Sequence, residues 1–101
     1  MTWYLAGPMS NIDGQNYEAF RSACVQLRHK GFNIVSPHET WNHPTQPDNM
    51  EWEELLRHDM GSLLQCQGII LLPGWSKSKG ARCELQVALT MGLEVRFFLE
   101  F

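Results

Sequence analysis

The sequence predicts a single α/β domain over residues 1–101, built on a small, mostly parallel sheet. Short apolar runs alternate with segments whose apolar residues recur at helical spacing, in the order β-α-β-α-β-α-β. Each segment between strands is long enough for a right-handed crossover, which favours parallel pairing. A chain of 101 residues can bury one core and little more.

The first third of the chain holds a strand, a helix and a second strand. Thr2–Ala6 is an apolar run that stops at Gly7-Pro8, and a polar, turn-rich stretch follows at residues 9–14. From about residue 15 to residue 30, apolar side chains recur at helical spacing, and Gly31 ends this helix. Phe32–Val35 is the second predicted strand.

The middle third begins with an irregular segment. Residues 37–49 contain three prolines, two histidines and Trp41, and loops of this length in compact domains are usually functional or mobile. Trp41 is either a surface for stacking or a cover over the core. A second helix follows from about Met50 to Gln65, and Asp59 lies on its apolar face.

The last third supplies two more strands around a helix. These predicted elements are the strand Gly68–Leu72, the helix Lys79–Met91 and the strand Glu94–Leu99, whose tail from Val95 we expect to be buried. We expect the sheet order 2-1-3-4, in a flavodoxin-like or Rossmann-like arrangement. The loops after the first three strands would then gather at one edge, where α/β proteins bind ligands.

Composition narrows the functional classes. The chain is 44% hydrophobic and 19% charged, as is typical of globular proteins. Its net charge of −3 does not favour binding to DNA or RNA. Three cysteines without metal-type spacing favour a reduced, cytoplasmic setting over a disulfide scaffold. There is no signal-peptide pattern and no apolar run approaching roughly 20 residues, so we expect no membrane partner.

The stretch from Leu71 to Glu84 is the most informative for function. A predicted strand ends at Pro-Gly, a basic polar loop follows, and a helix begins. Ser78 fits the N-cap, and Gly80 would let a ligand approach the backbone closely. Unpaired N–H groups at a helix start predict an anion site, and three cations lie nearby: Lys77, Lys79 and Arg82.

Two carboxylates lie on apolar helix stripes. Glu84 shares one with Ala81 and Ala88, so it is either partly buried near the anion site or an exposed helix residue. Two carboxylates in one cleft can divide the work of breaking a glycosidic bond. Because Glu84 lies near a helix start and Arg82, we expect it to be the ionised nucleophile, and Asp59 to be the proton carrier.

The position of Asp59 along its helix bears on this site, and the sequence shows no motif for a cofactor or a metal. If the second helix starts at Met50, Asp59 lies roughly 13 Å below the ligand edge, unless the helix begins later or the cleft is deep. The sequence has no GxGxxG or GxxxxGK[ST] loop, so we expect no NAD, ATP or other cofactor. His38, His43 and His58 do not pair with cysteines at metal-ligand spacing, so we expect exposed histidines and no metal site.

Three motifs carry a resemblance to a known family. They are Tyr4-Leu5-Ala6-Gly7-Pro8-Met9-Ser10, the Trp52…Leu56-Arg57-His58-Asp59 helix, and Leu72-Pro73-Gly74-Trp75…Ser78-Lys79-Gly80-Ala81-Arg82-Cys83-Glu84. Together they resemble the nucleoside 2-deoxyribosyltransferase superfamily, with short members common in bacteriophages and prophages as the nearest branch. The superfamily includes 2'-deoxynucleoside 5'-monophosphate N-hydrolases. The resemblance spans nearly the whole chain.

The resemblance implies a role for particular residues. Glu84 matches the glutamate that attacks the anomeric carbon, Asp59 the aspartate implicated in protonating the leaving base, and Tyr4 an aromatic hydroxyl close to the glutamate. Ser78 matches a serine that contacts the 5'-phosphate in the monophosphate hydrolases, where nucleoside transferases have an aspartate that grips the 5'-hydroxyl. The remaining candidate substrate contacts follow the first and third strands: Gly7, Pro8, Met9, Gly80 and Trp75.

The resemblance also carries one departure and one expectation about assembly. Many relatives have an aspartate just before the third strand, where this chain has Gln67. Family members assemble as dimers or larger with shared sites, so we expect a homo-oligomer.

The resulting hypothesis is an enzyme that cleaves or transfers the N-glycosidic bond of a 2'-deoxynucleoside 5'-monophosphate. Two alternatives remain open. One is a non-catalytic nucleotide-binding or sequestering protein on the same fold. The other is an interaction protein in which Asp59 and Glu84 are merely satisfied polar groups.

Overall fold

The computed structural model describes residues 1–8, 16–40 and 52–101, and it has the predicted α/β class. Its strands are β1 (Thr2–Ala6), β2 (Asn33–Val35), β3 (Gly68–Leu71) and β4 (Glu94–Phe97). Its helices are α1 (Tyr17–His29), α2 (Trp52–Leu64) and α3 (Lys79–Thr90). The described residues also form 3-10 turns at Pro37–Thr40, Trp75–Lys77 and Phe98–Glu100. The predicted loop positions Met9, Trp41 and His43 lie outside the described residues.

The four strands form one sheet in the order β2-β1-β3-β4, and every neighbouring pair is parallel. The predicted order 2-1-3-4 is therefore confirmed. Tyr4, in the middle of β1, pairs with Val35 on one side and with Ile69 on the other. Because the chain moves from β1 to β2 on one side and later to β3 on the other, β1 and β3 border the topological switch point, where open α/β sheets bind ligands.

The two faces of the sheet bury different clusters. Alternate strand residues such as Trp3 and Leu5 pack with α1, in a cluster that also contains Phe20 and Leu27. Tyr4 points to the opposite face, where the buried cluster includes Leu63 of α2 and Ala88 of α3. The period of two along β1 therefore places the Tyr4 side chain on the face that α2 and α3 cover.

The three helices contain 13, 13 and 12 residues. Helix α1 ends as predicted at Gly31, which follows the C-cap Lys30 and has a φ of 97°. Glycine adopts this left-handed conformation without the steric cost that a Cβ would bring. Within the described ranges, every helix is too short or too polar to cross a membrane.

A close approach of two strand ends explains Gly7. A Cβ at this position would lie 2.9 Å from the Cβ of Leu72, which real side chains essentially never show. Gly7 therefore lets the chain after β1 pass directly beside the end of β3. This packing role is present whether or not Gly7 also contacts a ligand.

The prediction of a buried terminal strand at residues 95–99 is wrong. The strand ends at Phe97, Phe98–Glu100 form a 3-10 turn, and Leu99 is 80% exposed. The backbone N–H of Phe97 donates to the Glu100 carboxylate at 3.0 Å, which holds this turn. Since β4 is at the edge of the sheet, its apolar residues have fewer neighbours to bury them.

Candidate active site

A buried hydrogen bond between β1 and α3 forms the centre of the candidate site. The Tyr4 hydroxyl donates to Oε2 of Glu84 at 2.7 Å. Tyr4 is fully buried and Glu84 is 3% exposed. Ala81 and Ala88, on the same helix stripe as Glu84, are buried as well. Of the two alternatives for Glu84, the structure shows the buried one.

The start of α3 determines where Glu84 lies. Ser78 is the N-cap, as predicted, and its side chain accepts a 3.2 Å hydrogen bond from the backbone N–H of Ala81. Arg82 donates to the Ser78 carbonyl from both its backbone N–H, at 3.0 Å, and its Nε, at 3.3 Å. The Arg82 guanidinium is therefore engaged at the helix start, and within residues 1–8, 16–40 and 52–101 no ion pair reaches Glu84.

Helix α2 contributes the second carboxylate. Asp59 is 1% exposed, on the same side of the helix as the buried Leu63. Both of its carboxylate oxygens lack a hydrogen-bond partner among the residues that the structure describes. The half-exposed His58 lies beside it, with Nδ1 3.6 Å from Oδ1. A buried carboxylate in this state is costly, and it is therefore a candidate to receive a polar ligand atom.

Burial raises the pKa of both carboxyl groups. The pKa of Glu84 rises to about 8, chiefly through burial; the Tyr4 hydrogen bond lowers it and the charge of Asp59 raises it. Burial raises the pKa of Asp59 to about 6, and the nearby imidazole of His58 opposes this shift. The pKa of Tyr4 is well above its ordinary value because of burial and the charges of Glu84 and Asp59. The three groups thus share one electrostatic environment.

The raised pKa of Glu84 differs from the sequence-based expectation. We expected Glu84 to be the more readily ionised group because of the helix start and Arg82. The structure encloses Glu84 and directs Arg82 to the Ser78 carbonyl, so burial dominates. Both carboxyl groups therefore hold a proton to a higher pH than exposed carboxyl groups do.

The site lies below the edge of the sheet. Glu84 contacts Tyr4, which lies in the middle of β1 and not at its end. Asp59 is likewise near the middle of α2. Its distance from the sheet edge, which the sequence indicated, therefore fits a site at mid-height. Because both helices pack on the same face of the sheet, the charge of Asp59 acts on both Tyr4 and Glu84. A substrate would have to extend from the sheet edge inwards to reach them.

The loops after β1 and β3 meet above this group, as expected. The Pro8 carbonyl accepts a 3.0 Å hydrogen bond from the Asn16 side chain, and a Cβ on Gly74 would lie 3.4 Å from the Pro8 ring. Trp75 is half-buried, and its ring centroid lies 5.9 Å from that of Phe97. Pro8 and Trp75 therefore border the same edge, while the side chain of Met9 lies outside the described residues.

Gly80 lies where α3 approaches α2. A Cβ at Gly80 would have as its nearest neighbour Cδ1 of Leu56, at the ordinary contact distance of 4.0 Å. Packing therefore does not require glycine here, in contrast to Gly7. The Gly80 amide belongs to the first turn of α3, where N–H groups have no intrahelical acceptor. Lys77 and Lys79 flank this turn with exposed side chains.

One histidine expectation is wrong, and the pair involved was not identified from the sequence. His38 is 6% exposed, and its Nδ1 lies 2.5 Å from the Ser36 hydroxyl. Tyr17 of α1 packs edge-on against the imidazole, with ring centroids 5.2 Å apart. The sequence did carry one indication of this pair, because Ser36 and His38 come directly after β2, at the sheet edge where α/β proteins bind ligands. His58 is 52% exposed, in agreement with expectation.

A cavity of about 340 Å³ lies on the other face of the sheet. Its lining includes Asn16 and Ala23 on the α1 side, and Leu72 and Phe98 beyond the ends of β3 and β4. It contains neither carboxylate. The buried acidic groups lie on the α2 and α3 face, and the perturbed pKa values favour that face as the reactive site.

Comparison with known proteins agrees with the predicted fold. Residues 1–97 match the family described as a domain of unknown function (DUF4406), and the chain belongs to that family. Curated proteins gave no match. Among solved structures, the chain is similar to a 2-deoxyribosyltransferase from the psychrotolerant bacterium Bacillus psychrosaccharolyticus, with a TM-score of 0.71 and 21% identity. The similarity covers 96% of this chain and 71% of that one.

The solved relative is described as a biocatalyst for the synthesis of antiviral and antitumoral nucleosides. At 21% identity, what the two chains share is the fold. The sequence-based resemblance to the deoxyribosyltransferases is thus confirmed at the level of architecture, including the four-stranded parallel sheet. The chemistry has to be argued from the side chains of this chain.

Proposed function

We propose that the protein cleaves or transfers the N-glycosidic bond of a 2'-deoxynucleoside 5'-monophosphate. The observation that carries this proposal is the buried Tyr4–Glu84 hydrogen bond next to the unpartnered carboxylate of Asp59. Two acidic groups with separated pKa values, one held by a hydroxyl and one without a partner, are what a nucleophile and a proton carrier require. The deoxyribosyltransferase fold supports the same reaction class.

In the first step, Glu84 attacks the anomeric carbon of the deoxyribose. Tyr4 holds Oε2, so Oε1 is the oxygen that forms the new bond to carbon. The bond from the anomeric carbon to the base nitrogen breaks, and its electron pair leaves with the base. Asp59 supplies the proton that neutralises the departing base. Water or a second base then displaces Glu84, and its proton returns to Asp59.

The protonation of the two carboxyl groups fits this scheme. Because burial raises both pKa values, Glu84 and Asp59 hold a proton at a higher pH than exposed carboxyl groups, and one proton is sufficient for one acid and one nucleophile. Catalysis requires that proton on Asp59 and a charge on Glu84. An uncharged base packed against Asp59 favours its neutral form, and positive charge developing at the anomeric carbon favours ionised Glu84. Substrate binding therefore moves the proton in the productive direction.

The 5'-phosphate is assigned to the start of α3. The Gly80 amide, the helix dipole and the exposed Lys77 and Lys79 all favour a negative charge at this position. Ser78 keeps its hydroxyl proton available for donation, because its oxygen is the acceptor in the hydrogen bond with Ala81. These groups favour a nucleotide over a nucleoside as substrate.

Product analysis tests the proposal. Deoxynucleoside monophosphates are incubated with the protein, with and without an added acceptor base, and products are separated by chromatography. Release of free base without acceptor indicates a hydrolase, and a new nucleotide only with acceptor indicates a transferase. Glu84→Gln, which keeps the shape of the side chain, should abolish both. Full recovery of every substrate at high protein concentration contradicts the proposal.

One observation favours a second candidate, a nucleotide-binding protein without turnover. The pKa of Glu84, about 8, leaves its carboxyl mostly protonated at neutral pH, and a protonated carboxyl is a poor nucleophile. This candidate predicts thermal stabilisation by a deoxynucleoside monophosphate without base release. Glu84→Gln, a mimic of the protonated form, would then bind as tightly as the wild-type protein.

A further inference from the structure

We propose that His58 is a positioning residue that connects the buried carboxylate of Asp59 to solvent and controls its protonation. The catalytic consequence rests on the function proposed above, whereas the contact itself does not. No role for His58 follows from the resemblance on which the reaction was assigned. The inference comes from the placement of the two side chains on α2.

Burial limits how the carboxyl group of Asp59 can exchange its proton. Its side chain is 1% exposed, and both oxygens are without a hydrogen-bond partner in the described part of the chain. A group enclosed in this way exchanges protons with water only through a neighbour or through opening of the site. Asp59 therefore needs a proton route that its own exposure does not provide.

His58 lies beside Asp59 on α2 and also reaches solvent. Its Nδ1 lies 3.6 Å from Oδ1 of Asp59, while 52% of its side chain remains in contact with solvent. Consecutive residues on a helix normally point about 100° apart, so the imidazole has to turn towards Asp59 to make this approach. A small further movement closes 3.6 Å to a hydrogen bond. His58 thus has one nitrogen facing the buried acid and the rest of its ring in water.

The titratable groups that interact with Asp59 lie on β1, α2 and α3. From β1 it faces Tyr4, and from α3 it faces Glu84; both are acidic groups whose pKa values its charge raises. Among the described residues, His58 on α2 is the one group that favours ionised Asp59. When protonated, it therefore opposes the effect of burial on Asp59.

The proton transfer balances without another reactant. A protonated imidazole gives the proton on Nδ1 to Oδ1 of Asp59, so the N–H bond breaks and an O–H bond forms. The neutral ring keeps its proton on Nε2 and regains the lost one from water. Asp59 then holds the proton that the departing base receives. After each product release, His58 restores the equilibrium between Asp59 and solvent.

The direct test is the titration of Asp59, followed through its side-chain carboxyl carbon by NMR in wild-type protein and in His58→Gln. Loss of the favourable charge should move the Asp59 titration to higher pH by about 0.5–1 pH unit. His29→Gln, which removes an exposed histidine from α1 on the opposite face, should leave it unchanged. An Asp59 titration that is identical in wild-type and His58→Gln protein overturns the proposal, and this result does not depend on any activity.

The kinetic test applies to the reaction. In His58→Gln the limb of the kcat/KM profile that Asp59 sets should move to higher pH by the same amount. In His58→Ala, added imidazole should restore turnover towards the wild-type value, which a purely structural role would not produce. A shifted titration with no rescue and an unmoved profile overturns the proton-transfer part. If the wild-type protein cleaves nothing, the proposed function fails while the NMR result still decides the contact.

Discussion

The hydroxyl of Tyr4 and Oε2 of Glu84 are 2.7 Å apart, although the two residues are separated by 80 positions in the chain. The bond joins the centre of the sheet to the second turn of α3, and both partners are enclosed. It gives Glu84 a fixed orientation and is the contact that most opposes its burial-driven pKa shift. Orientation and ionisation of the proposed nucleophile therefore depend on one phenol.

Tyr4→Phe should raise the pKa of Glu84 further, because the lost hydrogen bond favours the charged carboxylate. Since attack requires that carboxylate, the limb of the kcat/KM profile that Glu84 sets should move to higher pH. Activity at pH 7 should fall about 10-fold or more, as expected for a hydrogen bond to a charged group. Tyr17→Phe, on the opposite face of the sheet, is the control. A Glu84 limb at the wild-type position would show that Tyr4 does not govern Glu84.

Glu84 also predicts how stability depends on pH. Its pKa is about 8 in the folded protein against an ordinary value of 4.5, so the folded state binds the proton more tightly. This preference is fully present below pH 4.5 and is lost as pH rises towards 8, so stability falls over that interval. Glu84→Gln cannot ionise and should escape the loss, gaining about 2–5 kcal/mol at pH 9 relative to its effect at pH 4.

Thermal or urea unfolding across pH 4–9 measures this difference. Comparing the stability at pH 4 with that at pH 9 cancels any pH-independent cost of replacing the carboxyl group by an amide. Glu54→Gln, at an exposed position of α2, should give parallel curves. Asp59→Asn should show a smaller effect with the same sign, confined to the interval between pH 3.8 and about 6. A Glu84→Gln curve parallel to that of the wild type would mean that Glu84 ionises normally in the folded protein.

The sheet order followed from the sequence because it depends on periodicity. Ala81, Glu84 and Ala88 share a stripe, but periodicity left partial burial and exposure of Glu84 as alternatives. The raised pKa of Glu84 did not follow, because it depends on where the Arg82 guanidinium points and on how completely the sheet encloses Glu84. The exposed Leu99 was mispredicted because an apolar run does not reveal where its strand ends: β4 ends at Phe97, and a 3-10 turn follows.

His38 shows a further limit. Its contacts with Ser36 and Tyr17 join a turn after β2 to a helix earlier in the chain. Local composition, rich in proline and polar residues, suggested exposure. Burial of a histidine after a strand depends on which side chain of another element meets it, and spacing along the chain carries no such information.

Two glycines should respond oppositely to alanine. Gly7→Ala places a methyl group 2.9 Å from Cβ of Leu72, and the cost of relieving this contact should be about 1–3 kcal/mol of stability. Gly80→Ala has ordinary space beside Leu56 and should fold as well as wild type or slightly better, since alanine favours a helix. If a phosphate approaches the first turn of α3, Gly80→Ala should nevertheless raise KM for the nucleotide. Chemical denaturation and steady-state kinetics together distinguish the two roles, and unchanged KM in Gly80→Ala contradicts close approach at that amide.

Ser78 combines a cap with the proposed phosphate contact, and two substitutions separate these roles. Ser78→Ala removes the cap to Ala81 and should cost about 1 kcal/mol of stability. Ser78→Asp keeps a good N-cap and adds a negative charge that the helix dipole favours, so stability should be retained or increased. The same charge repels a 5'-phosphate but can accept a hydrogen bond from a 5'-hydroxyl, as the aspartate in the resembling nucleoside transferases is expected to do.

Ser78→Asp should therefore lower kcat/KM for a deoxynucleoside monophosphate and raise it for the corresponding deoxynucleoside, reversing the preference. The two substrates differ only in the phosphate, so the ratio of their kcat/KM values isolates the contact at the helix start from any effect on Glu84. Raising the salt concentration should reduce the difference, because both Lys77 and Lys79 are exposed to screening. A preference ratio that is the same in wild type and Ser78→Asp, with stability intact, would place the 5' end of the substrate away from α3. The assignment of a nucleotide substrate would then lose its structural support, while the carboxyl chemistry at Glu84 would stand unaffected.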